Sequence, residues 1–111
     1  MESKKTHIEA TCPECRGPLS ETRTGDLREF RCLVGHQYSA RSLLEGHSET
    51  EERTLWAAVV VLEEAVELVE KTSSQFAPEV VAHLKQQARV KSRQAMELRA
   101  ILEQLQPFQL D

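Results

Sequence analysis

Three cysteines and one histidine, spaced as Cys12-x-x-Cys15 and Cys32-x-x-x-His36, constrain this chain more than any other feature. Zn2+ favours a tetrahedron of thiolate and imidazole donors, and two short turns that each carry a donor pair supply one when brought together. Thr11-Cys12-Pro13-Glu14-Cys15-Arg16-Gly17-Pro18 is punctuated by proline and glycine, and Leu33-Val34-Gly35-His36 has a glycine beside its histidine. Both compositions are those of tight turns. Between them lie two short segments, Leu19–Arg23 and Leu27–Cys32, joined by Thr24-Gly25-Asp26, where Gly25 can take the positive φ of a hairpin turn. The expected structure is a small zinc ribbon, a short β-hairpin with two ligand turns, holding one structural Zn2+ through Cys12, Cys15, Cys32 and His36. Four protein donors leave no open coordination position. A ribbon this small buries little apolar surface, and structural zinc contributes about 10 kcal/mol or more to such a fold.

Two other readings of the cysteines compete with this one. They could form a reduced, unliganded cluster, or Cys12 and Cys15 could be a redox pair. A thioredoxin-like pair opens a helix after a strand, whereas Cys15 is followed by Arg16-Gly17-Pro18. An odd cysteine count in a cytosolic chain favours metal over disulfide. His7 and His47 are the nearby histidines that could replace His36, but neither shares a turn with Cys32.

The composition changes after His47. All four glycines and all three cysteines precede Ser48, and Ala, Val, Leu, Glu and Gln dominate beyond it. Residues 1–47 are therefore expected to form the zinc-ribbon domain and residues 48–111 a long antiparallel helical hairpin, making the chain mainly α. Ser39–Glu45 is expected to be a short helix closing the first part, with Ser39 as its N-cap and Gly46 just past its end. The first long helix opens at Ser48-Glu49-Thr50-Glu51, which matches a capping box. Leu55, Val59, Leu62, Val66 and Val69 then recur at alternating spacings of four and three, with Ala58, Val61, Ala65 and Leu68 in a second line beside them. Ser73 and Ser74 end this helix, and Pro78 suits the first turn of the next. That helix places Val81, Leu84, Ala88, Ala95, Leu98, Leu102 and Leu105 on one face, interrupted by Lys91, before Pro107 closes it.

Charge separates the two helices. Glu49–Lys71 holds seven acids and two bases, whereas Pro78–Gln106 holds three acids and five bases, so antiparallel packing is favoured electrostatically. Lys85, Arg89, Lys91 and Arg93 are better explained by a solvated face or by pairing with the acidic helix than by phosphate contact. Trp56 is expected to anchor ribbon to hairpin, and His83 to be an ordinary helical side chain.

Several functional classes are disfavoured. The net charge is −4, and the first 47 residues hold seven bases and seven acids, so neither chain nor ribbon has the basic excess of a nucleic-acid binder. Phe30 and Tyr38 are the few ribbon aromatics available to stack on bases. The polar start Met1-Glu2-Ser3-Lys4-Lys5 leads into no signal-peptide core, and the apolar run Leu55–Leu62 is far short of a membrane span. A cytoplasmic location is expected. No nucleophile elbow, phosphate loop, paired-carboxylate pocket or two-histidine metal helix is present, so no catalytic residues are assigned and no enzyme is expected.

Thr11-Cys12-Pro13-Glu14-Cys15, Gly17-Pro18-Leu19, Phe30-Arg31-Cys32-Leu33-Val34-Gly35-His36-Gln37-Tyr38-Ser39 and Glu52–Leu62 with Leu55-Trp56-Ala57-Ala58 resemble a known type of tail. It is the zinc-ribbon-plus-helices segment at the C-terminus of some bacterial proteins related to the chemotaxis protein-glutamate methylesterase. The resemblance covers about two thirds of the chain and implies the same ligands, Cys12, Cys15, Cys32 and His36. It departs at Arg16, where such tails tend to have glycine, and Met1 stands only a few residues before the ribbon, so no esterase activity is carried over. The expectation is a non-catalytic protein–protein interaction module in a bacterial, chemotaxis-like signalling system. Its partner is another protein, and the hairpin offers a homodimer interface. A nucleic-acid-binding zinc ribbon is the alternative.

Overall fold

The computed structural model describes residues 4–111, so Met1, Glu2 and Ser3 of the polar start lie outside the described residues. Four antiparallel strands come first: β1 (Lys4–Thr11), β2 (Pro18–Thr24), β3 (Leu27–Cys32) and β4 (Gln37–Ser39), in spatial order β1-β2-β3-β4. Two helices follow, α1 (Ala40–Thr72) and α2 (Pro78–Gln104), with a single 3-10 turn at Ser73–Gln75 between them. The chain divides into two compact units, Met1–Glu51 with Gln106–Asp111, and Glu52–Leu105. The division lies beyond the expected boundary at His47, and the last six residues join the first unit.

β2 and β3 are the expected hairpin, in a register that sets Leu19 opposite Cys32 and Thr24 opposite Leu27, with Gly25 at φ 63° in the turn. The sheet is wider than a two-stranded ribbon. β1 adds along β2, with Lys5 opposite Thr22 and Ile8 opposite Leu19, and its register shifts between Ile8 and Thr11. Its sequence, KKTHIEAT, sets the β-branched Thr6 and Ile8 two residues apart but has little apolar content, because an edge strand needs only one apolar side chain on its inner face, here the partly buried Ile8. β4 sets Tyr38 opposite Phe30 and is too short to show a period. On the inner face Cys12, Leu19, Cys32 and Tyr38 form the core, with Ile8, Phe30 and Leu43 packed against it.

The expected short helix at Ser39–Glu45, ending at Gly46, is corrected by one continuous α1. Ser39 does cap it: its Oγ accepts from the Ser42 N–H at 3.1 Å, and its own N–H donates to Ser42 Oγ at 2.9 Å. Gly46 is helical for a tertiary reason. A Cβ there would lie 3.2 Å from both Cβ and Cγ of Pro13, so the missing side chain is what lets the Cys12–Cys15 turn approach the helix. One turn on, the buried Thr50 hydroxyl lies 3.2 Å from the Pro13 carbonyl and 3.0 Å from that of Gly46. This contact offsets the roughly 1 kcal/mol that a glycine costs inside a helix. Ser48, expected to open a capping box, instead accepts the Phe108 N–H at 3.2 Å, and Arg41 donates to the Leu110 carbonyl and to Asp111 Oδ1.

In the second unit the two expected stripes meet. Val59, Ala88 and Ala95 are buried, and Leu55, Leu62, Val66, Leu84, Leu98 and Leu102 are half-buried around them. The alanines of α2 let the helices approach closely. Pro78 occupies the first turn of α2, and Ala77 before it is extended, as a residue preceding proline favours. Trp56 sits within this hairpin with the Arg99 guanidinium 5.4 Å above its ring. Arg99 also pairs with Glu63 at 2.7 Å, and among the described residues this is the one ion pair joining α1 to α2. No helix among the described residues is long and apolar enough to cross a membrane.

Replacing Gly46 with valine is expected to push the Pro13 turn off α1. Thermal unfolding should show the first unit weakened by about 1–3 kcal/mol, the usual scale of overpacking, although valine is a better helix former than glycine. A valine variant as stable as wild type would show that the contact does not restrict this position.

Candidate metal centre

Each ligand turn is built by its own backbone. In the first, the Cys12 N–H donates to the Gly17 carbonyl and the Arg16 N–H to the Cys12 carbonyl, both at 2.8 Å. Closing this loop puts Arg16 at φ 63°, the left-handed region, where it is the one non-glycine among the described residues. In the second, the Cys32 N–H donates to the His36 carbonyl at 3.1 Å and the Gly35 N–H to the Cys32 carbonyl at 3.2 Å, with Gly35 at φ 102°. The side chains at the tip of this turn, Leu33 and Val34, are 80% and 75% exposed.

The two turns bring Cys12, Cys15, Cys32 and His36 together, with one donor atom from each all within 4.8 Å of one another. Cys12 and Cys32 are buried and Cys15 is exposed. The Cys15 and Cys32 sulfurs lie 3.7 Å apart, and His36 Nδ1 lies 3.5 Å from Cys12 Sγ and 3.3 Å from Cys32 Sγ. Nδ1 is therefore the donor nitrogen that faces the cluster. These four residues could hold a metal ion, and they are the four that the spacing singled out. His7 lies on β1 opposite Ser20, and the His47 ring lies 6.2 Å from that of Phe108, so neither joins them.

Two residues that spacing alone did not assign surround the donors. Glu14 Oε2 lies 3.1 Å from His36 Nε2, so the Nε2–H donates to the carboxylate, which keeps the ring proton on the outward nitrogen and leaves the Nδ1 lone pair facing the cluster. Tyr38, buried, places its hydroxyl 3.1 Å from Cys12 Sγ. Burial pushes the Cys12 thiol up, but the Tyr38 hydroxyl and the N–H groups of Cys15 and Glu14 outweigh it and bring it down to about 6. Cys32 is lowered too: burial again opposes, and the N–H groups of His36 and Val34 prevail, with the first of these 3.3 Å from the sulfur. Cys15 is raised. The Gly17 N–H favours its thiolate, yet desolvation and the neighbouring Cys12 and Cys32 sulfurs outweigh that contact. His36 is raised by its contacts with Cys12 and Cys32. Two thiolates are thus stabilised by fixed donors, and a third is held back by the negative charge of its neighbours. A cation among the four would relieve that crowding.

A signal for Glu14 was present, because a carboxylate between the paired cysteines sits on the same turn as two donors. Tyr38 carried no such signal, since its reach to Cys12 depends on β4 pairing with β3.

Compared with known family models, curated proteins and solved structures, the chain matches none. The likeness to the methylesterase-associated tail rests on the motif residues alone.

Glu14→Ala and Tyr38→Phe are each expected to weaken metal binding about 10-fold or more, the usual effect of losing a partner that orients a ligand. Competition with a chromophoric chelator measures this, and unchanged affinity in both variants would deny the surrounding residues a role. Arg16→Gly should relieve a left-handed backbone and raise stability by roughly 0.5–1 kcal/mol in thermal unfolding, net of the greater freedom of glycine in the unfolded chain.

Proposed function

We propose that Cys12, Cys15, Cys32 and His36 hold one structural Zn2+ and that the chain is a non-catalytic protein–protein interaction module. The observation that carries this reading is the convergence of the four donor atoms within 4.8 Å. A tetrahedron with metal–sulfur bonds of about 2.3 Å has sulfur–sulfur edges of roughly 3.8 Å, close to the 3.7 Å between Cys15 and Cys32. With three thiolates and an imidazole as ligands, the ion has no position left for substrate or water. Its role would be to hold two turns and a small sheet that buries few side chains. Leu33 and Val34, projecting at the tip of the second turn, give the ribbon an apolar contact point for another protein. The motif resemblance suggests a bacterial setting in chemotaxis-like signalling.

Native mass spectrometry of protein purified without added metal tests the metal reading. One zinc per chain is expected, lost in Cys32→Ser and His36→Ala, and a folded wild-type protein without zinc overturns it. Gel-shift assays at low salt with mixed DNA and RNA are expected to show no complex, whereas a salt-sensitive shift would turn the reading toward nucleic acid.

A further inference from the structure

The three cysteines of the cluster differ in what can reach them. Cys15 is exposed, whereas Cys12 and Cys32 are 0% and 3% accessible. The Cys15 sulfur also lies 3.7 Å from that of Cys32, which belongs to the other turn. Cys12, its neighbour in the first turn, is engaged elsewhere: its sulfur lies 3.1 Å from the Tyr38 hydroxyl and 3.5 Å from His36 Nδ1. Disulfide sulfurs stand about 2 Å apart, so Cys15 and Cys32 need to close by only about 1.7 Å. Exposure and an adjacent resolving thiol are what open a cysteine to peroxide. A sulfur that binds a divalent cation is a thiolate, so coordination itself supplies the nucleophile.

We propose that hydrogen peroxide oxidises Cys15 and Cys32 to a disulfide, which expels the zinc and replaces it as the link between the two turns; this rests on the structural-zinc reading and adds a regulation of that site. The Cys15 thiolate attacks one peroxide oxygen. The O–O bond breaks, the far oxygen leaves with the electron pair as hydroxide, and Cys15 becomes a sulfenic acid. The Cys32 thiolate then attacks that sulfur, the S–S bond forms, and the S–O bond breaks with loss of a second hydroxide. The two sulfurs lose two electrons, the peroxide gains them, and two protons from solvent turn the hydroxides into water. Cys12 and His36 remain, two donors where the ion takes four. The choice of pair decides what survives. A Cys12–Cys15 bridge would stay inside a turn already closed by its own backbone hydrogen bonds, leaving the second turn unlinked. A Cys15–Cys32 bridge joins the turns as the ion does. The first turn is also seated on α1 through Pro13 and the Thr50 hydroxyl, a contact that does not involve the ion.

Hydrogen peroxide added to the full, zinc-loaded chain beside a chromophoric chelator is expected to release one zinc per peroxide consumed, with none released in its absence. Peptide mapping by mass spectrometry after alkylation should find Cys15 joined to Cys32 and Cys12 alkylated, and a dione that traps sulfenic acids should label Cys15. The oxidised, zinc-free chain is expected to unfold at least about 5 °C above the reduced chain stripped of zinc. A Cys12–Cys15 bridge, a label on Cys12 or Cys32 instead, or equal unfolding temperatures would overturn the inference. Zinc content measured before and after oxidation separates the two readings. A chain that carries zinc and keeps it under excess peroxide overturns the switch and leaves the metal reading intact, whereas a folded chain that carries no zinc at the outset removes the metal reading and the release with it.

Discussion

Three sulfurs and an imidazole nitrogen packed within 4.8 Å are the constraint around which the first unit is arranged. Thiolates at that distance repel each other, and their solvation is replaced by a few fixed donors: the Tyr38 hydroxyl beside Cys12 and the N–H groups of the turns. Each of those donors is held by something further out. Tyr38 comes from β4, whose pairing with Phe30 of β3 aims it at Cys12. Cys32 of β3 lies opposite Leu19 of β2, so the core and the donor cluster share a layer. In a sheet this small, the four clustered side chains and the strands and turns that carry them make up one layer.

The same economy explains the contact between the first ligand turn and α1. Pro13 rests where Gly46 has no side chain, and Thr50 closes over its carbonyl. A proline in the turn shapes the cysteine pair and removes an N–H that would otherwise need a partner. A glycine in the helix, unfavourable by local preference, becomes the residue that fits. The local rule and the tertiary contact conflict at one position, and the contact prevails.

That conflict also marks how far the sequence could be read. The cluster of three cysteines and a histidine was legible because coordination chemistry dictates both residue type and spacing, and the four side chains converge as the spacing implied. The hairpin was legible from its repeated apolar steps, and the Ser39 cap from its type and position. Gly46 and Ser48 misled for a shared reason. Their local signals, stop and start, were real preferences overridden by Pro13 and Phe108, partners far away in sequence. β1 escaped because Ile8 is the one large apolar residue on a strand otherwise polar. The contacts of Glu14 with His36 and of Tyr38 with Cys12 emerged only when the turns and β4 were placed.

The last six residues have a further consequence. Phe108, Leu110 and Asp111 are held by Ser48 and Arg41, within the unit that begins at the other end of the chain. That unit is therefore split in sequence, with all of Glu52–Leu105 between its two parts. The contact of Phe108 with Ser48 can therefore form only after the whole of Glu52–Leu105 has been synthesised, so the four strands and both turns of the first unit are complete well before its last contact is made.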